Sequence, residues 1–98
     1  MSTLSTHVLD TSAGLPAEGI AVRLETRSGE LLDDGVTNAD GRVASLGGEL
    51  DLGDYVLRFA TAGPFFPEVV IVFTIADDRH HHVPVLLSPY GYSTYRGS

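Results

Sequence analysis

The chain has 98 residues, 43% of them hydrophobic, with no cysteine and a net charge of −7. A chain this short buries a modest fraction of its surface and gains from a disulfide, a metal or a subunit interface; without cysteine the first is excluded, and oligomerisation is the expected support. All six basic residues are scattered arginines, so the field of the chain repels nucleic acid and anionic lipid, and neither is an expected partner.

Residues 1–10 show neither the basic start nor the apolar core of a secretory leader, and no apolar run approaches the ~18 residues of a spanning helix. The chain is therefore expected to be soluble and cytoplasmic. Residues 3–9 form a weak strand candidate, with Leu4, Thr6 and Val8 on one face and Ser5, His7 and Leu9 on the other. From Ile20 the alternation is clear: Ile20, Val22 and Leu24 oppose Ala21, Arg23 and Glu25, the period-two signature of a half-buried strand. Residues 42–46 are a further weak candidate. Tyr55, Leu57 and Phe59 then alternate with Val56, Arg58 and Ala60, and Val69 to Ile75 is a β-branched run suited to a strand buried on both faces. Residues 83–87 and the tail from Tyr92 complete the set.

Turn signals separate these segments: Ala13-Gly14-Leu15-Pro16, Ser28-Gly29, Asn38-Ala39-Asp40-Gly41, Gly47-Gly48, Gly63-Pro64 and Ser88-Pro89-Tyr90-Gly91. No comparable helical stripe exists. Seven or eight short strands punctuated in this way predict an all-β antiparallel sandwich or barrel, forming one domain over residues 1–98.

The residues that carry chemistry are four histidines, one turn arginine and an unusual tail. His80 and His82, at the start of a strand, share a face about 6.6 Å apart, while His81 points away. With His7 they could make a zinc site; equally, one of them could serve as a general base, or they could be solvated edge residues. Spacing alone does not choose. A lone strand histidine such as His7 is ordinarily structural, and Arg42 after the Asp40-Gly41 turn is ordinarily solvated, although its planar fork would suit a carboxylate or imide-like anion. Tyr90 to Ser98 packs three tyrosines, Arg96 and a terminal carboxylate into one short segment. Its alternation reads as a last strand that reaches something.

The stretch His82-Val83-Pro84-Val85-Leu86-Leu87-Ser88-Pro89-Tyr90-Gly91-Tyr92-Ser93-Thr94-Tyr95-Arg96-Gly97-Ser98 resembles the C-terminal signature of the transthyretin-like 5-hydroxyisourate hydrolases. Leu4-Ser5-Thr6-His7-Val8-Leu9-Asp10 with Gly14 and Pro16, Thr37-Asn38-Ala39-Asp40-Gly41-Arg42, and Phe65-Phe66-Pro67-Glu68 resemble three further family motifs. The resemblance implies a transthyretin-like sandwich of two four-stranded antiparallel sheets. It also implies a homotetramer with sites in a channel where dimers meet, and hydrolysis of 5-hydroxyisourate without metal or cofactor. His7, Arg42 and His82 match the catalytic residues, and Tyr95, Arg96, Gly97 and Ser98 match the tetrapeptide that helps form the site, with Ser98 positioning water or substrate. His80 and His81 match no functional position. Two departures concern loops: residues 59–65 are short for the family, and 47–53 are glycine-rich where the family has a short helix. The rival within the same architecture is the thyroid-hormone carrier transthyretin, which is similar to this tail only as far as Tyr-Ser-Thr.

Overall fold

The computed structural model describes residues 1–97. It contains strands β1 (Leu4–Asp10), β2 (Leu15–Pro16), β3 (Ala21–Thr26), β4 (Leu31–Val36), β5 (Arg42–Val43), β6 (Gly53–Phe59), β7 (Val69–Ile75), β8 (His81–Ser88) and β9 (Gly91–Thr94). They form two sheets, one ordered β2-β1-β8-β9 with β5 also on β1, the other β4-β3-β6-β7. The expected sandwich is present. Its first sheet differs from a plain four-stranded antiparallel one in two respects: the two-residue strands β2 and β5 share one edge of β1, and the β1–β8 pair is parallel. Parallel pairing is open to β1 and β8 because no hairpin joins them; the chain between them runs through the opposite sheet.

Alternation sets which side chains enter the core. Leu4 and Val8 of β1 and Val83 and Val85 of β8 meet Val22 and Leu24 of β3, Leu57 and Phe59 of β6, and Val69 and Ile75 of β7. Each such aliphatic or aromatic side chain contributes roughly 1.5–3 kcal/mol on removal from water. Residues 42–46 do not form one strand as the sequence suggested. The strand ends at Val43, and Leu46 is fully buried while its amide donates to the Leu4 carbonyl at 3.0 Å. Residues 47–52 contain no helix, in keeping with their glycines.

Two strands depart from the sequence reading. β4 was not anticipated, since Asp33, Asp34 and Gly35 are poor strand formers; pairing with β3 holds it, with a bulge between Leu24 and Glu25. β7 is buried on one face only, with Val70 and Val72 at 41% and 50% exposure. It is an edge strand, and no layer of the described residues covers its outer face.

On the outside of the second sheet Glu25 is almost wholly shielded and sits between Arg58 Nε at 2.9 Å and Arg23 Nε at 3.2 Å, while Arg58 also reaches Glu68 at 2.7 Å. The hydrogen bond from Arg58 is the largest influence on Glu25 and, with Arg23, holds its carboxyl below the usual range against the opposing effect of burial.

Candidate active site

The parallel register of β1 and β8 places Ser5 beside His82 and His7 beside Pro84, and the β1–β5 register places His7 opposite Arg42. Because Leu4, Thr6 and Val8 point inward, Ser5 and His7 point outward. His7, Arg42 and His82, separated in sequence, therefore converge on the outer face of the first sheet. The His7 and His82 rings lie 6.5 Å apart between centroids, tilted by 38°.

Arg42 is presented by the Asn38-Ala39-Asp40-Gly41 turn. The Asn38 side-chain oxygen accepts from the amides of Asp40 at 2.9 Å and Arg42 at 3.0 Å, and the Gly41 carbonyl accepts from Val8 at 2.7 Å. Gly41 has φ of +75°, and a Cβ there would collide with the Val8 carbonyl oxygen, so the turn can lie against β1 only with glycine at this position. His7 donates from Nε2 to the Asp40 carbonyl at 2.8 Å, which fixes that proton and leaves Nδ1 as its exchangeable nitrogen.

His82 is half-buried, and its Nδ1 lies 2.7 Å from Ser5 Oγ. Its Nε2 has no partner among the described residues. Burial, followed by the positive charge of Arg42 and then by His7 and His80, pushes the His82 imidazole below its ordinary pKa. All of these disfavour the charged form, so the ring is a neutral base at pH 7 and is lost as a base only when the pH falls through the lowered value. Arg42→Gln is expected to move the His82 titration upward, followed by NMR of the ring protons. The shift stops short of the ordinary value because burial, the larger cause, remains. An unchanged midpoint would remove Arg42 from the electrostatics of this ring.

The tail reaches the same place. β9 ends at Thr94, short of the strand expected through Arg96, and the chain then continues alongside β8 in the same antiparallel register, where the Gly97 amide donates to the His82 carbonyl at 2.8 Å. A Cβ at Gly97 would fall 2.5 Å from Cδ2 of the His82 ring. Arg96 turns to Asp77, with Nη2 3.9 Å from Oδ1, and Tyr95 is exposed. Tyr95, Arg96, His81 and His82, with Ile71 and Phe73, border a cleft of about 180 Å³. Ser98 lies outside the described residues.

His80 shares the outer face with His82, as its spacing required, and both rings contact Ser5. Among the described residues no three His, Cys, Asp or Glu side chains converge as a metal cage. His81 points inward and is buried, with Nδ1 donating to the Arg79 carbonyl at 2.8 Å. Sequence reasoning missed Ser5 and Thr3. Their only signal was a shared face with His7, which strand alternation alone supplied.

The HIUase/Transthyretin family model matches residues 4–97. The chain belongs to the HIUase/Transthyretin family. Within it, a Caulobacter vibrioides protein named 5-hydroxyisourate hydrolase is 46% identical over 115 aligned positions, covering all of both chains. The alignment has more positions than the 98 residues here, so the relative has residues with no counterpart in this chain. The Klebsiella pneumoniae 5-hydroxyisourate hydrolase structure superposes with a TM-score of 0.91 at 45% identity over the whole of both chains. Sea bream transthyretin in complex with thyroxine superposes with a TM-score of 0.85 at 29% identity, covering 95% of this chain and 92% of that one. No helix among the described residues is long and apolar enough to cross a membrane.

Proposed function

We propose that this family member is a 5-hydroxyisourate hydrolase, opening the ring of its substrate to 2-oxo-4-hydroxy-4-carboxy-5-ureidoimidazoline in urate degradation. The observation that carries the reading is the convergence of His7, Arg42, His82 and Gly97 on one outer face, in a chain 46% identical end to end to a Caulobacter protein of that name.

Hydrolysis of a cyclic imide-like carbonyl requires a water deprotonated as it attacks, a donor for the oxygen that gains charge, and a proton for the leaving nitrogen. His82 suits the first role, since its Nε2 has no partner among the described residues and its ring is neutral. Arg42 suits the second with a rigid fork of donors. His7, anchored through Nε2, can orient water or exchange a proton through Nδ1. Tyr95, Arg96 and Gly97 shape the substrate side, and Ser98 positions water or substrate through its hydroxyl. The chemistry needs no metal or cofactor.

Gly97→Ala must displace either the His82 ring or the tail. It is expected to lower kcat/KM by about tenfold or more while changing stability by less than ~0.5 kcal/mol. Wild-type kcat/KM in that variant would mean that the tail does not bear on the ring. The assembly is proposed to be a homotetramer with sites where dimers meet; the shortness of the chain and the open apolar outer face of β7 support this, and sedimentation of the free protein tests it.

The deciding experiment generates 5-hydroxyisourate in situ from urate with urate oxidase and follows loss of its ultraviolet absorbance against spontaneous decay, with and without EDTA. Acceleration that survives EDTA supports the metal-free hydrolase. No acceleration by a folded sample overturns it and favours a ligand carrier, for which thyroxine binding is the next assay.

A further inference from the structure

One set of contacts is not used by the mechanism above. Thr3 Oγ1 lies 2.6 Å from His80 Nδ1, His80 Nε2 lies 2.8 Å from Ser5 Oγ, and Ser5 Oγ lies 2.7 Å from His82 Nδ1. The four residues form an unbroken hydrogen-bonded line from the solvent-exposed Thr3 and His80 through Ser5 to the half-buried His82. Strand geometry makes the line possible. Ser5 sits beside His82 in the parallel register, and period-two alternation puts Thr3 and Ser5 on one strand, and His80 and His82 on the other, along the same face. The Thr3 carbonyl also accepts from the His81 amide at 2.8 Å, which keeps the two strands in step where the line begins.

We infer that Ser5 and His80 are positioning residues forming a proton relay that serves His82. This inference rests on the hydrolase reading. A serine hydroxyl has one proton to give and faces two ring nitrogens, so the directions are coupled. For His82 to present a bare Nε2, its proton must sit on Nδ1 and be donated to Ser5 Oγ. Ser5 then donates its own proton to His80 Nε2, and His80 carries its proton on Nδ1 and donates to Thr3. Both ring N–H groups and the Ser5 hydroxyl then have an acceptor within the line.

The same line can carry charge away from the site. When water attacks the substrate carbonyl, its oxygen bonds to carbon and its proton passes to His82 Nε2. The Nδ1 proton moves to Ser5 Oγ as the Ser5 proton moves to His80 Nε2. His82 is then neutral again, protonated on Nε2, and the positive charge rests on His80 at the surface, farther from Arg42. Collapse of the tetrahedral centre breaks the C–N bond, and His82 Nε2–H protonates the leaving nitrogen while the protons in the line step back. Water has been added across the bond and every residue is restored. Without the relay the imidazolium would have to form in place, half-buried and beside Arg42 and His7, the arrangement that costs most.

The test uses the full chain carrying Ser5→Ala, Ser5→Thr or His80→Gln. Ser5→Ala and His80→Gln are expected to lower kcat by about tenfold to a hundredfold with KM changed less than about twofold, and Ser5→Thr, which keeps the hydroxyl, to restore most of the loss. Independently of turnover, the nitrogen-15 shifts of His82 should report the Nδ1–H tautomer in the wild type and a mixture in Ser5→Ala. Unchanged kcat in both variants, or a His82 tautomer indifferent to Ser5→Ala, overturns the relay. A wild-type protein inert toward 5-hydroxyisourate overturns the hydrolase reading instead, and the tautomer measurement then still decides whether Ser5 governs His82.

Discussion

Replacing His82 by Asn is expected to reduce kcat on 5-hydroxyisourate by about 10² to 10⁴, with the protein still folded. Asparagine can keep a hydrogen bond near Ser5, and the site lies on an outer sheet face away from the core, so the change removes proton chemistry with little effect on packing. The neutral ring at pH 7, kept so by burial and by the charge of Arg42, is what the variant loses. The corresponding His7 variant should also lose about 10² or more, but His7→Asn together with His82→Asn should lose far less than the product of the two, since groups that serve one proton path fail as a unit. Steady-state kinetics on all three variants, corrected for spontaneous decay, provide the comparison. Full turnover in His82→Asn would move the base elsewhere.

The largest effect on stability is expected from Phe59→Ala. Phe59 is the largest fully buried side chain and lies at the end of β6, paired to Val22 on one side and Val69 on the other. Removing it leaves a cavity between strands that are tied on both edges, which limits collapse, and the cost is about 3–5 kcal/mol. Against a total of about 5–15 kcal/mol for a domain, that is a large share. Urea unfolding at fixed protein concentration should show a lower midpoint with an unchanged slope. A loss under about 1 kcal/mol would mean that the two sheets close over the gap.

Much of the sandwich was legible because alternation directly encodes one buried face. Val22, Leu24, Leu57 and Phe59 are inward as their spacing required. β4 was illegible because its residues favour turns and the strand exists only through its neighbour β3. The β-branched run of β7 suggested two buried faces, but its place at a sheet edge, which composition does not specify, leaves one open. The site divides in the same way. His7, Arg42 and His82 could be named as candidates from the family motifs they resemble, and the spacing of His80 and His82 set their shared face. Ser5 could not be named, because a serine on a strand has no chemical signature until a partner strand in a particular register sets a histidine beside it. That register joins residues 77 apart.

The parallel seam between β1 and β8 also sets the order of events in folding. A pairing across so much of the chain is the costliest kind of loop to close, so folding should be slow for the size of the protein. On the ribosome β1 emerges well before β8, so one of its edges has no mate until β8 has been made. During that interval an unpaired strand edge is open to other chains, and no working site can exist.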